Sequence, residues 1–118
     1  MKLIYTALAA AAVAFTLTAG ASPAVAPKLT GTVGPGFTIT LKRGTAPVRA
    51  LKAGFYSLTV ADKASIHNFQ IEGPGLDKRV STVGFVGTKT VTIHLRRGTY
   101  KYYCMPHEST MHGTFKVT

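Results

Sequence analysis

Cysteine is almost absent from this chain: Cys104 stands alone among 118 residues. A lone thiol closes no intrachain disulfide, and structural zinc and iron–sulfur frameworks, which draw on several cysteines, are excluded with it. There is no Cys-x-x-Cys-His stretch for attaching haem. Acidic residues are nearly as scarce, with Asp62, Glu72, Asp77 and Glu108 set against 14 lysines and arginines for a formal net charge of +10. No pair of carboxylates and no Ser/His/Asp arrangement stands out, so enzymatic turnover is not expected. The longest apolar run, near the start, is short for the roughly 20 residues of a membrane span, so an uncleaved anchor is only the minor alternative for it. A sustained helical period and an internal repeat are missing too, and low complexity is confined to the alanine-rich beginning.

That beginning has the layout of a secretory leader. Met1 and Lys2 form a short basic start, "LIYTALAAAAVAFTL" follows as a mostly apolar stretch interrupted by Thr6 and Thr16, and small residues come next. Ala-x-Ala sites end at Ala21 and at Ala26. Cleavage at the second would leave Pro27 at the new terminus, where its tertiary amide makes a poor peptidase substrate, so residues 1–21 are the expected leader and cleavage as late as 26 the alternative. A single small domain over residues 27–118 remains, in a periplasmic or extracellular setting.

Removing Lys2 with the leader takes only one unit from the positive charge. A balance this basic suits nucleic acid, an anionic membrane surface or an acidic protein partner. Export argues against nucleic acid, and the lysines and arginines are spread along the chain without interleaved aromatics. Export also poses a question about Cys104, because an oxidising compartment normally pairs thiols. It must be buried and inert, joined to another molecule, or bound to a metal.

Apolar and polar residues alternate over short runs: Phe37, Ile39 and Leu41; Tyr56, Leu58 and Val60; Val91, Ile93 and Leu95. "GPG" at 34–36, "KAG" at 52–54, "EGPG" at 72–75 and "RRG" at 96–98 break between them. The pattern predicts an all-β sandwich or small barrel, least regular around 42–53 and 73–81. Strand parity places Tyr100, Tyr102 and Cys104 on one inward series and His67, Phe69 and Ile71 on another. His94, between Ile93 and Leu95, points outward.

Two potential ligands far apart in sequence are thus aimed inward from strand ends. In "YYCMPHESTMHG", residues 102–113, Cys104 precedes His107 by three positions and Met111 follows four later, so one tight loop can direct a thiolate, an imidazole and a thioether at one point. Thiolate and thioether are soft donors and imidazole is borderline, a combination that selects copper. Adding His67 completes two histidines, one cysteine and a weak axial methionine, the donor set of blue-copper electron-transfer sites. Each residue also has a plainer reading: Cys104 and Met111 as core filler, His67 as a structural histidine.

The sequence resembles the plastocyanin/azurin family of cupredoxins over nearly the whole domain, most closely in "GTYKYYCMPHESTMHGTFKV" and "HNFQIEGPG". The resemblance implies a cupredoxin-like Greek-key β-sandwich and a single copper ion held by His67, Cys104, His107 and Met111. It also implies that Asn68 ties the His67 strand to the Cys104 loop. One departure concerns the axial position. Plastocyanins have four residues between the loop histidine and the methionine, and this chain has three, so a strict offset count would select His112; the Met-x-Gly spacing to Gly113, and the gap found in azurin-like loops, select Met111. By family analogy the His107 edge emerges through an apolar patch of Gly34, Pro35, Gly36, Met105 and Pro106, with Tyr103 as a second exit. Tyr100 reads as the structural tyrosine of a sandwich corner.

The expected function is an exported, monomeric one-electron carrier between redox partners, steered by its cationic surface toward an acidic docking surface on a redox protein. A copper storage or delivery protein is the alternative, and a cell-surface interaction module a third reading. Four histidines are too few for the extra copper centres of an oxidase or nitrite reductase.

Overall fold

The computed structural model describes residue 2, residues 9–15 and residues 25–118. The expected cleavage point after Ala21 lies outside the described residues, and Ala26 lies just before the first strand. Ten strands follow in order: β1 Lys28–Val33, β2 Ile39–Arg43, β3 Ala46–Pro47, β4 Ala50–Leu51, β5 Gly54–Asp62, β6 Phe69–Gly73, β7 Leu76–Ser81, β8 Gly87–Leu95, β9 Gly98–Tyr103 and β10 His112–Val117. They form two five-stranded sheets, ordered β3-β2-β1-β5-β8 and β4-β10-β9-β6-β7. Pairing is antiparallel except for β1 with β5 and β4 with β10. No helix among the described residues is long and apolar enough to cross a membrane.

Side-chain alternation explains why these segments pair as a sandwich. In β5, Tyr56, Leu58 and Val60 are buried while the residues between them are not, and β8 repeats this with Ile93 and Leu95. The facing sheet contributes Phe69, Ile71, Tyr100, Phe115 and Val117 to the same core. Burying a side chain of this size stabilises by about 1.5–3 kcal/mol, so the two alternating faces drive the layers together. His94 points outward and stacks on Phe55 at 4.3 Å between ring centroids.

Two expectations need correction. Phe37 does not begin the Ile39 and Leu41 strand: the Gly34 N–H donates to the Thr38 carbonyl at 2.9 Å, which keeps 34–38 in a turn and leaves Phe37 58 % exposed. Residues 76–81, expected to be irregular, form β7 along β6. β7 is an edge strand whose Asp77, Lys78 and Arg79 are exposed, so it carries the charges that protect an edge instead of an alternating pattern. The stretch 42–53 is irregular as expected. Its two-residue strands β3 and β4 belong to different sheets, so the chain crosses the sandwich here, pinned by buried Val48 and Leu51.

Tyr100 fills the corner between the layers. Its hydroxyl donates to the Pro74 carbonyl at 2.7 Å and accepts the Arg96 N–H at 2.8 Å, while its ring lies against Gly73, where a Cβ would overlap it. Tyr100→Phe is expected to leave two backbone groups without their partner and cost about 1–3 kcal/mol. A thermal melt checks this, since each kcal/mol moves the midpoint of a domain this size by about 4–8 °C.

Candidate metal centre

The end of β5, the turn that follows it and the loop between β9 and β10 meet at one pole of the sandwich. From β5 the chain turns through 63–68 into β6, with the Lys63 N–H donating to the Val33 carbonyl at 2.9 Å and the His67 N–H to the Ala64 carbonyl at 3.3 Å. His67 extends the inward series of Phe69 and Ile71, and all three are fully buried. On the other side β9 brings Tyr100, half-buried Tyr102 and buried Cys104 to the core face.

After Cys104 a short 3-10 turn, Met105–His107, reverses the chain, with Pro106 where a missing N–H does no harm. The loop is closed by its own backbone. The Cys104 N–H donates to the Met111 carbonyl at 3.0 Å, and the N–H groups of Thr110 and Met111 both donate to the His107 carbonyl, at 3.1 and 2.8 Å. Asn68 joins the two parts of the pole, its Oδ1 accepting the Met105 N–H at 2.7 Å.

Three donor atoms converge. Cys104 Sγ stands 3.7 Å from His67 Nδ1 and 3.7 Å from His107 Nδ1, and the two Nδ1 atoms are 3.1 Å apart. A point equidistant from these corners lies about 2 Å from each, the length of a transition-metal bond to imidazole nitrogen. The residues therefore fit a metal both in spacing and in chemistry, two imidazoles and a thiolate around one small gap. Among the described residues nothing pairs with His67 Nε2. The ring is oriented by packing instead: Phe37 stands edge-on to His67 and to His107, at 5.3 and 4.9 Å between centroids, and a Cβ on Gly34 would come within 3.1 Å of His67 Cδ2.

Each residue expected at the site has a definite place. His67 and Cys104 are buried and His107 reaches the surface in part. Met111 is buried in the core cluster, its backbone clamped to both Cys104 and His107. His112 is exposed on the other side of the strand, its Nδ1 2.8 Å from the Glu108 carbonyl. Tyr103 faces away from the core, as parity predicts, yet it is covered: its hydroxyl donates to Glu72 Oε2 at 3.2 Å and the Lys101 ammonium lies over its ring. Burial first, then the Glu72 carboxylate, raises its pKa above the usual phenol value. Burial also raises that of Tyr102, against the opposing charge of Arg49.

Phe37 is the site residue that the sequence reading missed. The only signal was its position directly after "GPG", and an alternating pattern with Ile39 and Leu41 concealed it. With Ile66 and Met105 it exposes apolar surface at this pole.

A family model of copper-binding proteins, the plastocyanin/azurin family, matches residues 45–118. No curated protein matches the chain. Among solved structures, reduced rusticyanin is 25% identical over 77% of this chain and 78% of its own, with a TM-score of 0.57. Rusticyanin from Thiobacillus ferrooxidans is 22% identical over 77% of this chain and 76% of its own, with a TM-score of 0.52. A reduced amicyanin variant shares the fold at 16% identity over 81% of this chain and 87% of its own, with a TM-score of 0.51.

Proposed function

Because the chain belongs to the plastocyanin/azurin family of copper-binding proteins, we propose that it is an exported one-electron carrier in which His67, Cys104, His107 and Met111 hold a single copper ion. The observation that carries this reading is the triangle of Cys104 Sγ and two Nδ1 atoms at 3.1–3.7 Å, drawn from two separate parts of a rigid sandwich. Bound copper supplies a reversible one-electron change. The chain keeps the donors in place while the charge changes: Asn68 locks the loop to the His67 segment, Phe37 packs against both imidazoles, and the sandwich resists rearrangement.

Half-exposed His107 is the port through which the electron passes. Exposed Phe37, Ile66 and Met105 around this pole form an apolar docking surface, and the strongly positive charge that remains without the leader steers an acidic redox partner toward it. The full burial of Cys104, His67 and Met111 favours the carrier over storage or delivery, since a delivery site must present its ligands to an acceptor. In the organisation we propose, residues 1–21 are an export leader, residues 27–118 are the copper domain, and the mature chain works as a monomer without catalytic turnover.

Titrating metal-free protein with Cu(II) tests the reading. An intense visible charge-transfer band and an EPR signal are expected to saturate together at one copper per chain. A weak spectrum typical of nitrogen and oxygen ligands alone would overturn it. Rapid electron self-exchange would support the carrier, whereas ready loss of Cu(I) to a chelator would support delivery.

A further inference from the structure

The inward series of β5, Tyr56, Leu58 and Val60, ends at this pole in a carboxylate. Asp62 is 2 % exposed, its Oδ1 accepts the Ala64 N–H at 3.3 Å and its buried Oδ2 has no partner among the described residues. No cation pairs with it: the single ion pair among the described residues joins Lys101 and Glu108. A carboxylate buried this way opposes folding, and its neighbours along the strand show that an aliphatic side chain suits the same face.

The surroundings connect Asp62 to His67. The Ala64 residue that it holds by the N–H accepts the His67 N–H on its carbonyl at 3.3 Å. Across the β1–β5 pairing Asp62 is opposite Val33. The next residue, Gly34, packs against Ala64 and His67 so closely that a Cβ would stand 3.1 Å from each. Asp62 therefore forms the base of the turn that delivers a buried imidazole.

We propose that Asp62 is a positioning residue of the copper site: its carboxylate braces the turn carrying His67, and its negative charge favours the more positive oxidation state of the bound metal. In a dry interior such a charge is screened far less than at the surface, so it acts beyond hydrogen-bond range. This rests on the reading of His67 as a copper ligand.

Two variants separate the brace from the charge. Asp62→Asn keeps an oxygen for the Ala64 N–H and removes the charge; Asp62→Ala removes both. In the metal-free full chain, amide hydrogen exchange at Ala64 and His67 is expected to be unchanged in the Asn variant and about tenfold faster in the Ala variant. In the copper-loaded protein, the reduction potential is expected to shift upward in the Asn variant with the visible band retained. A potential equal to the parent's overturns the electrostatic role, and unchanged exchange in the Ala variant overturns the brace. Failure of the parent to take up copper would sink the ligand assignment instead, while exchange in the metal-free chain would still decide the brace. The Asn variant, isosteric with the parent, keeps the charge decidable even where the Ala variant does not fold.

Discussion

Replacing Cys104 with serine is expected to abolish the intense visible band of the copper-loaded protein while the β-sandwich persists by circular dichroism. The band requires a thiolate bound to Cu(II), and Cys104 is the chain's single source of one. The substitution changes little in size, so the loop closed by Cys104, His107 and Met111 backbone bonds has no steric reason to open. A hydroxyl is a hard, weakly acidic donor and does not replace a soft thiolate. Loss of groups that merely support metal ligands lowers affinity by about 10–100-fold, so removal of a ligand itself is expected to exceed that range in a competition titration. A variant that stays blue would remove Cys104 from the site and the copper assignment with it.

The second large effect separates neighbouring residues. Met111→Leu is expected to raise the reduction potential, and His112→Ala to leave it nearly unchanged. Met111 is fully buried and clamped between Cys104 and His107, whereas His112 faces solvent with its Nδ1 beside the Glu108 carbonyl. A thioether donates weakly to copper and stabilises Cu(II) more than a hydrocarbon does. Its removal therefore favours Cu(I), and each tenfold change in relative affinity for the two states appears as about 59 mV. Leucine and methionine have similar volumes, so the core cost is expected to stay below about 1.5 kcal/mol and the fold to survive. Voltammetry on the two variants decides the matter: the reverse ranking would give the axial role to His112.

Which parts of this architecture could be seen in the sequence follows from how each residue is used. β5 and β8 were legible because each buries one face and exposes the other, so composition alternates with geometry. The inward aim of His67 and Cys104 was legible for the same reason, as each continues an apolar series by parity. β7 was not, because an edge strand is selected for charge and not for alternation. Phe37 was not, because turn residues obey no period, and its partners, His67 and His107, are distant in sequence. Asp62 falls in the inward series of β5 by simple counting, yet whether a carboxylate there finds a partner depends on the opposite sheet and the following turn, which periodicity does not report. Met111 and His112 illustrate the same limit: loop spacing allows either, and only the folded chain shows Met111 buried and His112 exposed beside the Glu108 carbonyl.

The pairing of β6 with β9 has a consequence for how the protein matures. Residues on the Cys104 loop are local and can approach one another early, but His67 joins them only after a long stretch of chain has been closed, a slow step compared with local turns. Until that closure, the thiol is open to oxidants in the compartment the leader would deliver it to. In an oxidising compartment, metal uptake would therefore compete with oxidation of the thiol, and faster closure of the sheet is expected to protect it.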